Sequence, residues 1–384
     1  MNEEIKKRKR VALAYKKDPA NRQSWSGTTF GVYSSLLNKG YDVKWVAPTG
    51  IFSRLVLLLA KVWGRLFALL FRQGSAVERW SVFAKIEASM FKINDEDFDV
   101  VITFGVSWCA YLRTSLPIIS VIDATYNCFN GYYVKKDFPL FAKFAERTEL
   151  LSLKRANLII GASDWVKKSV VSHYGIPERK VVVRLLGANI DFARKDEIGF
   201  PRASEELRLL FIGFDFRRKG LQVAIDTVKL LREKYRRSAI LNIIGVNKEE
   251  VPLSGDCGYL KFIGRLNKNF PEQMALFQKI ISEAHLFILP TRAECAGMVF
   301  SEAAAYGLPI FSYSTGGVPS YVEDMGNGRL LPLNSTSNDF AEEIIKAWDG
   351  GKFPEFSARG IKNYEKKLNW ELWESYWDEI FNKL

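Results

Sequence analysis

Short apolar runs of strand length alternate with helical stretches along the whole chain. Val11–Tyr15 is one such run, set between a basic flank and a loop of Asp, Asn, Ser and Gly. Thr28 to Asn38 reads as a helix, and Asp42–Val46 as the next strand. Asp99–Phe104, Ile118–Ile122, Leu158–Gly161 and Val181–Leu185 continue the series. This is βαβ patterning, which predicts a parallel sheet covered on both faces.

The pattern then restarts, with Leu207–Ile212, Ile240–Ile244, Leu260–Ile263, His285–Leu289 and Pro309–Phe311 as a second series of strands. Asp191–Glu206, polar and holding Gly199 and Pro201, reads as the join. The expected organisation is an α/β protein with a Rossmann-like domain over residues 1–190 and a linker over 191–206. A second such domain spans 207–365, and a helical segment, 366–384, packs back on the first. Two halves of this kind leave a cleft between the carboxyl ends of their strands. Trp370, Trp373 and Trp377, at helical spacing near the C-terminus, read as packing residues.

Residues 51–72, IFSRLVLLLAKVWGRLFALLFR, stand apart. A membrane span needs about 20 consecutive apolar residues, and Lys61 and Arg65 break this run well short of that. On a helix advancing about 100° per residue, Arg54, Lys61, Arg65 and Arg72 fall within about 20° of one line. One narrow basic stripe on an otherwise apolar helix suits a segment lying in a membrane interface, its cations at headgroup level. A core helix with one solvated edge is the other reading.

Composition narrows the classes. Of 384 residues, 48% are apolar and 26% charged, so a large core is available and disorder is excluded. The four cysteines, Cys109, Cys128, Cys257 and Cys295, form no disulfide framework and no CxxC metal pair. The two histidines, His173 and His285, exclude sites built on histidine clusters. No apolar segment of signal-peptide type follows the charged N-terminus, so a reducing cytoplasm is the expected setting. The net charge of +12 is uneven: residues 1–190 carry 29 Lys and Arg against 16 Asp and Glu, and the remainder is nearly neutral. The basic half therefore points to an anionic partner, an acidic membrane surface or nucleic acid, or to a simple bias of the solvated surface.

The most informative segment is Ala284–Gly317, AHLFILPTRAECAGMVFSEAAAYGLPIFSYSTGG. A strand ends near Leu289-Pro290, a loop carries Glu294, and a helix opening near Gly297 carries Glu302. Glycine permits close backbone approach, and free N–H groups at a helix start attract anions. Carboxylates before and within that helix can meet sugar hydroxyls and a ribose diol. The segment resembles the Glu-x7-Glu signature of the glycosyltransferase family 4 type, retaining enzymes of the GT-B fold. The Leu-Pro-Thr before it and the Glu-Ala-Ala-Ala-Tyr-Gly-Leu-Pro and Ser-Thr-Gly-Gly-Val-Pro after it extend the likeness.

The resemblance implies further roles. FIGFDFRRKGLQVAID, residues 211–226, is similar to the family's strand, loop and helix that meet the donor diphosphate, with Lys219 before Gly220. The family's Arg soon after the strand glycine is missing, Asp215 standing about there, and Arg218 is the substitute, with Arg217 the alternative. Gly27, in Ser24-Trp25-Ser26-Gly27-Thr28, corresponds to the family's glycine loop facing the donor phosphate. Where many members have a histidine after an N-terminal-half strand, Ser120 to Thr125 places Asp123, which would bind the sugar, assist the acceptor hydroxyl or cap the following turn.

The resemblance thus implies a sugar moved from a UDP- or GDP-linked donor to a glycan, lipid-linked or small-molecule acceptor. Glu294, Lys219, Arg218 and Asp123 would form the reacting centre, without cofactor or metal. Gly27, Gly297, Met298, Val299, Glu302, Arg265 and Leu266 would hold the donor. Rival readings are a nucleic-acid-binding protein using the basic half and a GT-B scaffold without activity. Asp95-Glu96-Asp97 matches an Asp-x-Asp metal motif, but it precedes a strand instead of ending one and reads as a solvated turn.

Overall fold

The computed structural model describes residues 8–105, 107–191, 206–252 and 257–384. The chain forms two compact units, one of residues 1–185 with 370–384 and the other of residues 186–369. These divisions fall a few residues from the sequence boundaries at 190 and 365. Most of the expected linker, 192–205, lies outside the described residues.

The first unit is built on a six-stranded sheet of β1 (Arg10–Ala14), β2 (Asp42–Val46), β3 (Val100–Phe104), β4 (Ile118–Ile122), β5 (Leu158–Gly161) and β6 (Val181–Val183). The order is β2-β1-β3-β4-β5-β6, and every pairing is parallel. β3 and β4 are buried along their whole length, as strands covered on both faces must be. Helices α1 (Thr28–Asn38), α2 (Ile51–Phe71), α3 (Ser81–Ser89) and α4 (Pro139–Arg155) belong to this unit.

The second unit repeats the scheme with β7 (Leu207–Ile212), β8 (Ala239–Ile244), β9 (Leu260–Gly264), β10 (Leu286–Leu289), β11 (Ile310–Tyr313) and β12 (Gly328–Leu331). Their order is β12-β11-β10-β7-β8-β9, again parallel throughout. Counted from β7, this is the doubly wound 3-2-1-4-5-6 order. Helices α5 (Leu221–Glu233) and α6 (Met298–Ala305) follow β7 and β10. Strand β12 has no counterpart in the sequence reading. It is a four-residue edge strand, Gly-Arg-Leu-Leu, with too little apolar run to stand out.

The last helix, α7 (Glu371–Asn382), returns to the first unit and packs on α1. Trp373 and Trp377 are fully buried. The Trp377 indole N–H donates to Ser35 Oγ at 2.9 Å, and that of Trp373 to the Leu185 carbonyl at 2.8 Å. On α1, Gly31 leaves the space that the Trp370 ring fills, since a Cβ there would sit 2.0 Å from the ring.

Removing a buried tryptophan leaves a cavity and takes one donor from the Ser35 hydroxyl, which still donates to the Val32 carbonyl. Trp377→Ala should therefore cost about 3–5 kcal/mol in the unfolding of the first unit. Urea denaturation followed by circular dichroism checks this, and a loss below about 1 kcal/mol would show that α7 is dispensable there.

Candidate active site

In doubly wound sheets, ligands bind beyond the carboxyl ends of the strands where the order reverses. In the second unit that point lies between β7 and β10. The loops after these two strands carry Gly213 to Gly220 and Pro290 to Gly297, the segments singled out in the sequence.

Gly220 brings the loops together. Its φ is +74°, in the left-handed region that glycine enters freely, and a Cβ would lie 2.0 Å from the Pro290 carbonyl oxygen. The backbone N–H of Arg292 donates to the Arg218 carbonyl at 2.8 Å, closing the approach. Lys219 then forms an ion pair with Glu294 Oε2, and Arg218 Nη1 lies 3.8 Å from the same oxygen. Arg218 also donates to the Ala293 carbonyl at 2.6 Å and pairs with Asp215 at 3.5 Å. All three central side chains are largely buried, which strengthens their interaction relative to an exposed pair. Arg218 thus lies in the centre with Lys219 and Glu294.

Gly297 starts α6 at φ +97°, where a Cβ would meet the Phe300 ring at 2.6 Å. Met298 is buried and Val299 half-buried in the first turn, where N–H groups lack helical acceptors. Glu302, in the next turn, is buried and accepts from Lys268 Nζ at 2.6 Å. Lys268 also lies 3.8 Å from the centroid of the Phe277 ring. The sequence reading passed over Lys268; its signal was a lysine four residues beyond the glycine ending β9. Leu266 sits half-buried in that same loop. The Arg265 side chain is exposed and pairs with Glu250 at 3.4 Å.

In the first unit the order reverses between β1 and β3. The loop after β1 leads into Trp25, Ser26 and Gly27, with φ values of +45°, +58° and +100°. Two consecutive non-glycine residues in the left-handed region cost on the order of 1–3 kcal/mol each, strain that clusters at functional sites. Gly27 is the residue before α1, and Trp25 packs edge-on against Phe104 at the end of β3.

Asp123 follows β4, half-buried, and its loop is held from below. The Tyr126 backbone N–H donates to both carboxylate oxygens of Glu149, at 2.8 and 2.9 Å, and Arg79 pairs with Glu149 at 3.3 Å. The Tyr126 hydroxyl donates to Asp137 at 2.6 Å. Glu149 on α4 is fully buried, and burial pushes its carboxyl up to about 7 against the pull of Arg79 and the Tyr126 N–H. The sequence reading missed this carboxylate, because one glutamate inside a helix carries no local mark of burial.

The remaining candidates separate cleanly. Asp95, in a short helical turn before β3, accepts from Thr114 Oγ1 at 2.5 Å and from the Ser115 N–H at 2.8 Å. Those hydrogen bonds hold its carboxyl below the usual range, as a turn residue. His173 faces Glu146 at 3.4 Å, and His285 is buried, its Nδ1 accepting from the Arg208 N–H. Among the described residues, no group of three His, Cys, Asp or Glu side chains is placed to hold a metal.

Two doubly wound units, with basic and acidic side chains converging where the second sheet reverses, define a GT-B type protein. Residues 194–367 match the family model described as Glycosyl transferases group 1, and residues 30–192 match Glycosyltransferase Family 4. The chain belongs to the GT-B glycosyltransferases of the family 4 type. It is 26% identical over 171 residues to the lipopolysaccharide glucosyltransferase WaaG of Escherichia coli, a match covering 44% of each protein. The chain thus spans less than half the length of that relative. Sucrose-phosphate synthase of Thermosynechococcus elongatus shares the fold with a TM-score of 0.65 at 13% identity, over 98% of this chain and 99% of that one. Alr3699/HepE of Anabaena, solved with UDP and glucose, shares it at 0.63 and 12% identity, over 98% and 100%.

Glu149 gives the first unit a pH signature. The unfolded chain releases this proton near the ordinary glutamate value, whereas the folded protein holds it to about 7. The group's stabilising contribution is complete at low pH and falls as pH rises towards 7, by at most about 1.4 kcal/mol per pH unit. Glu149→Gln should flatten the decline in denaturant midpoint between pH 4.5 and 7. Parallel curves for variant and parent would mean that Glu149 stays ionised in the fold.

Proposed function

We propose that the protein moves a sugar, with retention of configuration and without a metal, from a nucleoside-diphosphate sugar to a glycan, lipid-linked or small-molecule acceptor. The convergence of Arg218 and Lys219 on Glu294 beside the Gly297 helix start is the observation that carries this reading. Charge develops on the departing diphosphate as the glycosidic bond breaks. Two fixed cations and the first N–H groups of α6, at Met298 and Val299, are suited to stabilise it. The cations would then supply what a divalent ion supplies elsewhere.

In this assignment Glu294 binds the transferred sugar. Lys219 exchanges its carboxylate partner for phosphate when the donor arrives. Glu302 takes the ribose diol in place of Lys268, and the base stacks near Arg265 and Leu266. For Gly27 and Asp123, in the first unit, the family likeness implies the donor phosphate and the acceptor respectively. Donors bound by structural relatives support a uridine nucleotide, since the HepE structure holds UDP and glucose.

A screen of thermal stabilisation with UDP-, GDP- and ADP-sugars tests the donor. A ligand at 100 times its Kd adds about 2.7 kcal/mol to the native state. Lys219→Ala should lower kcat for transfer by a factor of ten or more, because its contact strengthens in the transition state. Preserved kcat at saturating donor would remove Lys219 from the reaction.

The protein is also assigned to the surface of an anionic membrane, on the cytoplasmic side. Here the observation is α2, where Ile51, Leu69 and Leu70 are 86%, 76% and 79% exposed. Among the described residues no helix is long and apolar enough to cross a membrane. Arg54, Lys61 and Arg65 are exposed along one edge of α2; Arg72, expected on the same stripe, is exposed just past the helix end, where a left-handed backbone at φ +54° takes it off the helical spiral. Each cation near an anionic surface contributes on the order of 1 kcal/mol, so four give reversible, salt-sensitive attachment. This favours a leaflet over nucleic acid, which has no use for a row of bare leucines. The protein should sediment with anionic vesicles at low salt, and a variant with Gln at all four positions should not. Equal binding to neutral vesicles would overturn the electrostatic part of the assignment.

A further inference from the structure

Helix α2 meets the rest of the first unit along a narrow edge of small residues. Ala60 and Gly64 are its two buried positions, and a Cβ on Gly64 would lie 2.7 Å from Ser75 Oγ. On one side of this edge, α2 and α3 do not close on each other. Val56, Leu59, Ala60 and Trp63 from α2 face Val77, Trp80 and Phe83 across a groove of about 410 Å³. Every lining residue is apolar. Its volume is within the size range of small-molecule sites, and it is open to the surface.

The groove's place on α2 is informative. With Arg54 taken as zero, the exposed apolar residues cover an arc from about 40° to about 180° around the helix axis, with Phe71 apart from it at about 260°. The three cations on the helix, Arg54, Lys61 and Arg65, lie within about 20° of zero, and the α2 groove residues span about 140° to about 240°. The bare apolar face therefore runs directly into the groove, while the cations border its opposite side. The four groove residues of α2 extend over two turns, about 11 Å along the axis, giving an elongated recess.

We propose that this groove is a binding site for a single hydrocarbon chain of an anionic membrane lipid. A chain leaving the layer beneath α2 enters the groove without passing a polar rim. The basic edge, complementary in charge to a phosphate-bearing leaflet, holds α2 flat at the depth where chains are available. Trp63 and Trp80, whose ring centroids are 6.2 Å apart in an edge-to-face contact, line the recess together and leave no space for a chain between their rings. Buried methylenes contribute about 0.8 kcal/mol each, so one chain is enough for measurable affinity. The inference rests on the membrane-facing reading of α2 and is independent of the sugar donor.

The test uses the full chain and a single-chain anionic lipid, oleoyl lysophosphatidic acid, kept below its micelle-forming concentration. Calorimetric titration should show saturable binding at one site, with no binding of glycerol 3-phosphate. Ala60→Phe and Val56→Trp fill the groove from its floor and from its rim, and each should weaken binding at least tenfold with the circular dichroism unchanged. Val56→Trp, at a half-buried position, keeps the test open if the floor variant misfolds. Non-saturable uptake, equal affinity in the filled variants, or binding of glycerol 3-phosphate as tight as that of the lipid would overturn the site. So would self-association of the parent that Val56→Trp abolishes, since the groove would then belong to a second copy. The variant with Gln at four positions should keep chain binding in solution while losing vesicles, so groove and membrane attachment can fail separately.

Discussion

The contact of Gly220 with the Pro290 carbonyl is the constraint on which the candidate centre depends. Any side chain at residue 220 would strike backbone, which cannot step aside as a flexible side chain can. Because glycine stands there, the loop after β7 lies against the loop after β10, and Lys219 reaches a carboxylate 75 positions away in the chain, with Arg218 beside the same oxygen. The order of the strands makes this close approach useful. β7 and β10 are neighbours whose connections leave in opposite directions, so the space beyond their carboxyl ends is not covered by a crossover helix.

The same logic operates in the first unit with different chemistry. There the loop after β1 turns through three left-handed residues, two of them not glycine, and the loop after β4 is tied to a buried carboxylate. Glu149 is costly to bury ionised, and its two accepted N–H bonds with the Arg79 contact offset that cost only in part, as its raised proton affinity shows. Both arrangements oppose stability locally and are held by fully covered strands nearby. Strain and a buried carboxylate beyond the carboxyl ends of a sheet are features that cluster at functional sites.

Strand positions were legible where buried parallel strands are continuous apolar runs: β4, β5 and, but for Arg208, β7 have the ends that the sequence suggests. Strand β12 was not, since an edge strand needs only part of that signal. The pairing of Arg218 with Glu294 was readable only through family likeness, as no local rule links residues so far apart. Lys268 and Glu149 were illegible for the same reason. What defines them is a partner on another element, Glu302 for one and Arg79 for the other, and partners appear only when the sheet is assembled.

Helix α2 shows how a few residues decide between outcomes that share one composition. At 21 residues and about 1.5 Å per residue it is long enough to span a hydrocarbon core. Lys61 and Arg65 sit near its middle, however, and each cation at a bilayer centre costs about 2.5–3.5 kcal/mol on insertion scales. A core helix would be buried on most sides, but only Ala60 and Gly64 are buried here. The proposed interfacial placement would remove both conflicts, because the cations would reach headgroups while the leucines reach hydrocarbon. The small residues at 60 and 64 then set which way the helix faces. They are the edge that fits against Ser75 and Val77, so the leucines are turned outward and the basic stripe is placed at their side.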